Sequence, residues 1–207
     1  MPPPKPPVEK HLVCWGEVGP LDAAYHDNEW GVPCHDDQQL FERLMLEGFQ
    51  AGLSWTTILA KRENFSRAFE GWDAARIASY GPTDTARLLA DAGIVRNRLK
   101  VHGAVKNAQA FLRLQAEHGT FDRYAWSFVA LLPSDRPVPR NREDVPATTQ
   151  ESDALSKALK AAGMTFVGST ICYAFMQSTG MVNDHLAACL ARKTPGGPVS
   201  NDGRQRR

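Results

Sequence analysis

The chain has 207 residues, 43% of them hydrophobic, which suffices for one well-packed domain and makes a second independent domain unnecessary. Lys and Arg number 24 against 23 Asp and Glu, so the formal net charge of +1 gives no global basic field, although local basic patches stay possible. No N-terminal apolar targeting segment and no apolar run of roughly 18 residues is present, so we expect a cytoplasmic protein that does not enter a membrane.

The two ends of the chain differ in composition from the rest. Residues 1–10, MPPPKPPVEK, are rich in proline, and residues 192–207, RKTPGGPVSNDGRQRR, mix glycine, proline and charge. Such segments cannot bury enough apolar surface to fold. We therefore predict a folded domain over residues 11–191 between two disordered tails.

Within the domain the apolar residues recur at helical spacing, and the alternation typical of strands is nearly absent. A long surface loop with four prolines is expected at 133–150. The fold class predicted is all-α, with many short helices. The helical segments fall within residues 38–69, 83–93, 97–119, 121–132, 151–163 and 169–180.

The segment 157–175, KALKAAGMTFVGSTICYAF, reads as a helix, a short hairpin bounded by glycines, and a second helix. Gly168 directly precedes the second helix, whose first N–H groups have no partner within the helix and can bind a phosphate. A plain tight turn between two helices explains the same pattern.

Two Cys and His pairs lie at opposite ends of the domain. VNDHLAAC, residues 182–189, reads as helical and puts His185 and Cys189 on one face, while Cys14 and His26 lie close together in a compact N-terminal loop. If the ends meet, these residues form a four-ligand structural zinc site. The alternative is that His185 caps its helix and the cysteines act as small hydrophobic residues.

Glu47 is the candidate binding residue that the pattern itself singles out. It falls on the same helix side as Leu40 and Leu44, where a carboxylate is costly unless a polar group meets it. Capping of a neighbouring helix is the alternative for Glu47. Core packing is the alternative for Tyr25 and Trp55. Core positions are also expected for three further tryptophans: Trp30, Trp72 and Trp126.

Several segments together resemble the bacterial 3-methyladenine DNA glycosylase I family: AYHDNEWGVP, LFERLMLEGFQAGLSWTTILAKRENF, DAGIVRNRLKV, WSFV and SDALSKALKAAGMTFVGSTICYAFMQSTGMVNDH. The resemblance runs in order over about residues 12–189. It implies the helix-hairpin-helix DNA glycosylase architecture, with one structural zinc joining the two ends of the domain. The ligands implied are Cys14, His26, His185 and Cys189.

The resemblance also implies the substrate and its pocket. The substrate is double-stranded DNA carrying 3-methyladenine, whose ring is positively charged. Tyr25, Glu47 and Trp55 match the family's base pocket, with Glu47 as the catalytic residue. Trp15 also matches the pocket, but it directly follows Cys14, whereas the family has one residue between them.

The reaction implied is base-excision repair by hydrolysis of the N-glycosidic bond, which leaves an abasic site and releases free 3-methyladenine. The DNA backbone is expected at Gly168, Ser169 and Thr170. Four basic residues are expected either to contact phosphate or to form a solvated helix face: Arg96, Arg98, Lys100 and Lys106.

Two positions indicate an enzyme that does not cut the strand. Related glycosylases of the endonuclease III type have an aspartate at the position of Asn183. Those that also cut the strand have a lysine at the position of Thr170. Asn cannot ionise and Thr cannot form a Schiff base. We expect Asp184 not to substitute, because on a helix it would point about 100° away from Asn183.

We expect the enzyme to act as a monomer. Two other classes of protein fit the same residues. One is a module that binds damaged DNA without catalysis, and base release would distinguish it from an enzyme. The other is a zinc hydrolase, which would need an open coordination position that four protein ligands deny it.

Overall fold

In a computed structural model of the chain, residues 11–131 and 136–193 are described. The predicted tails lie outside these residues, except Arg192 and Lys193. The strands are β1 (His11–Val13) and β2 (Gly16–Val18). The α-helices are α1 (Pro20–Asn28), α2 (Asp37–Gln50), α3 (Trp55–Leu59), α4 (Arg62–Ala68), α5 (Ala74–Ala78), α6 (Pro82–Ala90), α7 (Arg98–His118), α8 (Phe121–Trp126), α9 (Gln150–Ala161) and α10 (Ser169–Ser178). Short 3-10 helices cover Glu70–Trp72, Ser127–Leu131, Arg142–Asp144 and Leu190–Lys193.

The all-α prediction holds for most of the chain but misses an antiparallel hairpin at its start. β1 pairs with β2 through a tight turn, with Val13 opposite Gly16. Gly16 has φ of +119°, a backbone conformation that side chains disfavour. Each strand has only three residues, which is too short to show alternation. The hairpin places Cys14 in its turn.

Helix α2 is the central element of the core. It starts at Asp36, whose side chain accepts a hydrogen bond from the Gln39 N–H, and it packs against α7 and α10. At its other end the Lys100 ammonium donates to the carbonyls of Phe49 (2.8 Å) and Ala51 (2.6 Å). Lys100 is buried. It therefore closes the end of α2 and is not part of a basic surface.

The predicted helical region 38–69 divides into three helices. Between α2 and α3 the chain turns at Gly52, with φ of +80°. Ser54 then caps α3 by accepting from the Thr57 N–H at 3.2 Å. Trp55 becomes the first residue of α3.

The hairpin between α9 and α10 is held from α7. The Asn107 side chain accepts from the Thr165 N–H (2.7 Å) and donates to the Thr165 carbonyl (2.9 Å). A Cβ at Gly103 would lie only 2.8 Å from the Thr165 hydroxyl, so this position needs glycine. Gly168 is the N-cap of α10, without a side-chain cap. The predicted helix, hairpin and helix are confirmed.

The segment 182–189 is not helical, so the prediction that His185 and Cys189 share a helix face is wrong. Two of its backbone N–H groups have partners far away in the chain. The Leu186 N–H donates to Cys14 Sγ at 3.3 Å, and the Ala187 N–H donates to the Pro139 carbonyl at 2.8 Å. Within the segment, the Cys189 N–H donates to the Leu186 carbonyl at 2.9 Å, which closes a single turn and not a helix.

None of the helices in the described ranges is both long enough and apolar enough to cross a membrane.

Candidate active site and metal-ligand cluster

A cavity of about 370 Å³ opens between α1, α2, α3, α10 and the segment 136–149. It contains all four predicted base-pocket residues, together with polar residues that the sequence did not single out. The residues around it are Cys14, Trp15, Tyr25, Trp30, Glu47, Gln50, Trp55, Arg142, Val145, Ala174, Gln177 and Asp184.

Glu47 is the chemically unusual group of this cavity. The residue is 3% exposed, and its Oε2 has no hydrogen-bond partner among the described residues. The alternative that Glu47 caps a neighbouring helix therefore has no contact to support it. Burial raises the pKa of Glu47 to about 8, because the charged form loses its hydration. Burial thus favours the neutral form of this carboxyl group.

Tyr25 and Trp55 form the adjacent aromatic wall. Their ring centroids are 5.1 Å apart, with the planes inclined by 51°. Burial, with a smaller contribution from Glu47, raises the pKa of Tyr25 well above its usual value, so its hydroxyl stays protonated. Trp55 Nε1 is buried and has no hydrogen-bond partner within the described parts of the chain. The wall presents flat apolar faces beside the carboxyl group.

Trp15 and Trp30 form a second aromatic wall. Their centroids lie 5.0 Å apart at 79°. The prediction that Trp30 is a core residue is wrong, because its half-buried ring lines the cavity. Trp72 is a core residue as predicted, stacked at 4.9 Å on Phe69. Trp126 is partly buried and packs on the edge of the core.

Asp184 faces the cavity, contrary to the expectation that it points away. That expectation assumed helical geometry, which the segment does not have. The carboxylate accepts three hydrogen bonds, from the Tyr173 hydroxyl (2.5 Å), Gln177 Nε2 (2.8 Å) and Arg136 Nη2 (2.8 Å). Asn183 lies beside the metal-ligand cluster instead of in this cavity. Asp184 thus differs from Glu47 in having its charge matched by the protein.

The four predicted metal ligands converge, and their ligand atoms all lie within 4.8 Å of one another. His26 Nε2 is 3.2 Å from His185 Nδ1. The sulfur to nitrogen distances are 3.6 Å from Cys14 to His185, 3.5 Å from Cys189 to His185 and 3.7 Å from Cys189 to His26. These residues form a cluster that can hold a metal ion.

The remaining ring nitrogen of each histidine is also bonded. His26 Nδ1 is 2.7 Å from Asp27 Oδ1, and His185 Nε2 is 2.9 Å from the Trp30 carbonyl. Such partners fix the ring orientation and leave the other nitrogen as the ligand. Burial lowers the pKa of His185, which favours the neutral imidazole.

The predicted DNA-backbone residues begin α10. Gly168 and Ser169 are half-buried and Thr170 is exposed. Arg96, Arg98 and Lys106 have exposed side chains, unlike Lys100. The first turn of α10 therefore offers backbone N–H groups at an accessible position.

Comparison with known proteins decides the family. Residues 15–193 match the methyladenine glycosylase family model. The chain belongs to this family. It is 48% identical over 175 residues to DNA-3-methyladenine glycosylase 1 of Escherichia coli (strain K12), covering 84% of this chain and 93% of that protein. A relative from Haemophilus influenzae (strain ATCC 51907 / DSM 11121 / KW20 / Rd), named DNA-3-methyladenine glycosylase, is 48% identical over 80% of this chain and 89% of its own length.

A solved structure of 3-methyladenine DNA glycosylase I from Staphylococcus aureus, which describes 3-methyladenine recognition, superposes with a TM-score of 0.82. The two sequences are 32% identical, and the match covers 87% of this chain and 96% of the other. These relatives are named as DNA-3-methyladenine glycosylases.

The buried Glu47 makes a prediction about stability. Glu47 has a pKa of about 8 in the folded chain, against an ordinary value of 4.5. Between those values the folded chain keeps a proton that the unfolded chain loses, so this group lowers stability as the pH rises, by about 1.4 kcal/mol per pH unit. Glu47→Gln removes this loss of stability with rising pH, because glutamine does not ionise.

We therefore expect the melting temperature of Glu47→Gln to be close to that of the wild type at pH 4.5. As the pH rises to 8, it should exceed the wild-type melting temperature by an increasing margin, as measured by thermal unfolding across this range. The exposed Glu63→Gln is the matched control and should follow the wild type. Parallel wild-type and Glu47→Gln curves would contradict the burial argument.

Proposed function

We propose that the cavity binds 3-methyladenine after the damaged nucleotide has been turned out of the duplex. The observation that carries this proposal is the buried Glu47 carboxyl group between aromatic side chains, whose Oε2 has no hydrogen-bond partner among the described residues. A cationic base ionises Glu47 and gains the ion pair together with stacking on the aromatic faces. Neutral adenine cannot offset the cost of ionising Glu47, so the same pocket discriminates against normal bases.

The proposed chemistry is hydrolysis of the N-glycosidic bond by water. The electrons of the broken bond go to the base, which therefore leaves as neutral 3-methyladenine. Water adds to the sugar carbon and loses a proton, leaving an abasic site. Because the cationic base is already a good leaving group, Glu47, the group that touches the reacting base, acts by selecting and orienting it in the pocket; the ion pair favours binding of the damaged base and does not by itself speed cleavage.

The ion we propose for the metal-ligand cluster is one structural Zn²⁺ per chain. A tetrahedral zinc with bonds of about 2.0–2.1 Å to nitrogen and 2.3 Å to sulfur separates two nitrogens by about 3.3 Å and a nitrogen from a sulfur by about 3.6 Å. Four of the six separations, at 3.2 Å and 3.5–3.7 Å, fit that geometry, and all six are within 4.8 Å. Cys14, His26, His185 and Cys189 would fill the coordination, so the zinc would stabilise the fold only.

For the DNA backbone, we propose binding by the N–H groups of Gly168, Ser169 and Thr170 at the start of α10. A monomer is proposed because one chain supplies the whole cavity and all four metal ligands. We also propose a cytoplasmic location, because a DNA substrate would be reached there.

The zinc proposal is tested by metal analysis. We expect one zinc per chain, and we expect Cys14→Ala and His185→Ala to lose zinc and to melt at lower temperature, because a bound metal contributes its binding free energy to folding. Cys172→Ala, which removes a buried thiol outside the cluster, should keep full zinc content. A zinc-free wild type, or unchanged melting of the cluster variants, would contradict the proposal.

The base pocket is tested by calorimetry with free 3-methyladenine. Glu47→Gln should keep the fold but bind the base more weakly, because the amide replaces one of the two carboxyl oxygens that face the base with an NH2 group. Trp55→Ala should lose about 1–3 kcal/mol of stacking. Wild-type affinity in both variants would remove these residues from the pocket. Base release from methylated DNA, measured in parallel, distinguishes an enzyme from a damage-binding module.

The reaction type is tested by borohydride trapping on alkylated DNA. None of the described residues lining the cavity is a lysine, and Thr170 stands at the expected lysine position. Without an amine there is no Schiff base to reduce, so we expect no covalent adduct and no strand cleavage. Hypoxanthine, a neutral base, should not be excised efficiently. An adduct, or rapid release of hypoxanthine, would refute a monofunctional enzyme limited to good leaving groups.

A further inference from the structure

The segment 136–145 crosses one side of the cavity mouth, and three contacts hold it there. Arg136 pairs with Asp184 at 2.8 Å, the Pro139 carbonyl accepts from the Ala187 N–H at 2.8 Å, and Arg142 Nη1 donates to the Trp15 carbonyl at 3.3 Å. Two of these contacts reach residues beside the metal ligands. The position of Arg142 at the mouth is therefore set by the fold.

Arg142 is a cation at the mouth of a pocket proposed to bind a cation. Its side chain is exposed, and it forms no salt bridge in the described parts of the chain. Asp144, two residues away, uses its carboxylate for the N–H groups of Arg140 (2.8 Å) and Asn141 (2.9 Å). A guanidinium has five N–H donors, of which one is used here.

This placement of charge has two possible effects on a substrate. Toward the damaged base alone, Arg142 would be repulsive, because both carry positive charge. Toward an extruded nucleotide as a whole it would be attractive, since a base inside the cavity leaves its flanking phosphates at the mouth. A guanidinium also suits phosphate oxygens better than an ammonium does, because its N–H groups form a planar fork.

We propose that Arg142 binds a phosphate of the DNA backbone next to the extruded nucleotide. This contact is additional to the N–H groups at the start of α10, and it rests on the proposed base pocket. Because the phosphate and the base belong to one nucleotide, Arg142 selects for a damaged base that is still attached to DNA. It gives no help to the free base, which leaves the site as product.

The test measures binding to a duplex that contains a tetrahydrofuran abasic analogue, by fluorescence anisotropy at several salt concentrations, and binding of free 3-methyladenine by calorimetry. Arg142→Gln should bind the duplex roughly three- to tenfold more weakly and lower the slope of log affinity against log salt by about one. Its affinity for the free base should equal that of the wild type. Arg142→Lys, which keeps the charge, should lose less.

Arg140→Gln is the matched control, because Arg140 is exposed two residues away but does not line the cavity. Equal losses in Arg140→Gln and Arg142→Gln would indicate a general charge effect and overturn the proposal. Wild-type duplex binding and salt slope in Arg142→Gln would also overturn it. A loss of free-base affinity in Arg142→Gln as large as its loss of duplex affinity would likewise overturn the proposal. Arg142 would then act on the pocket wall through Trp15.

Base release from methylated DNA by the wild type tests the proposed function separately from the Arg142 contact. A wild type that binds the duplex but releases no 3-methyladenine would refute the proposed function. The binding data would still decide the Arg142 contact.

Discussion

The arrangement of the cavity depends on the convergence of the four side chains of the metal-ligand cluster from the two ends of the domain. Three residues of the cavity are sequence neighbours of these ligands: Trp15 follows Cys14, Tyr25 precedes His26, and Asp184 precedes His185. Drawing the ends together therefore also brings three wall residues of the pocket together. A structural ion at this cluster would contribute to catalysis only through the shape of the pocket, because its coordination is filled by protein.

The two acidic side chains of the cavity differ in how many hydrogen-bond donors the protein provides for them. Asp184 is held by three donors, whereas Glu47 has an oxygen without a partner. An unmatched buried carboxyl group costs stability, and here the cost raises the pKa of Glu47 to about 8. Under the proposed function, a cationic base would supply the missing partner. The cost of burying Glu47 would then become a means of selecting the ligand.

Under the proposed function and the proposed Arg142 contact, a carboxyl group in the interior and a guanidinium at the mouth would divide the recognition of one nucleotide. Glu47 lies where a positively charged ring would enter, and Arg142 lies where the negatively charged backbone would remain. Each group favours one part of a damaged nucleotide and disfavours the other. A free base or an undamaged duplex would satisfy only one of them, which gives the enzyme two separate sources of specificity.

The sequence by itself determined the features that depend on local rules or residue type. The ends of α7 follow from a capping Asn97 and a left-handed Gly119, both local signals, and the four ligands and Glu47 could be named from their chemistry and the family resemblance. Only the tertiary structure decided the course of residues 182–189, because bonds to Cys14 and the Pro139 carbonyl replaced the helical ladder that was predicted. The same distant contacts turned Asp184 into the cavity and placed Arg142 at its mouth, and contacts between residues far apart in the chain leave no periodicity in the sequence to show them.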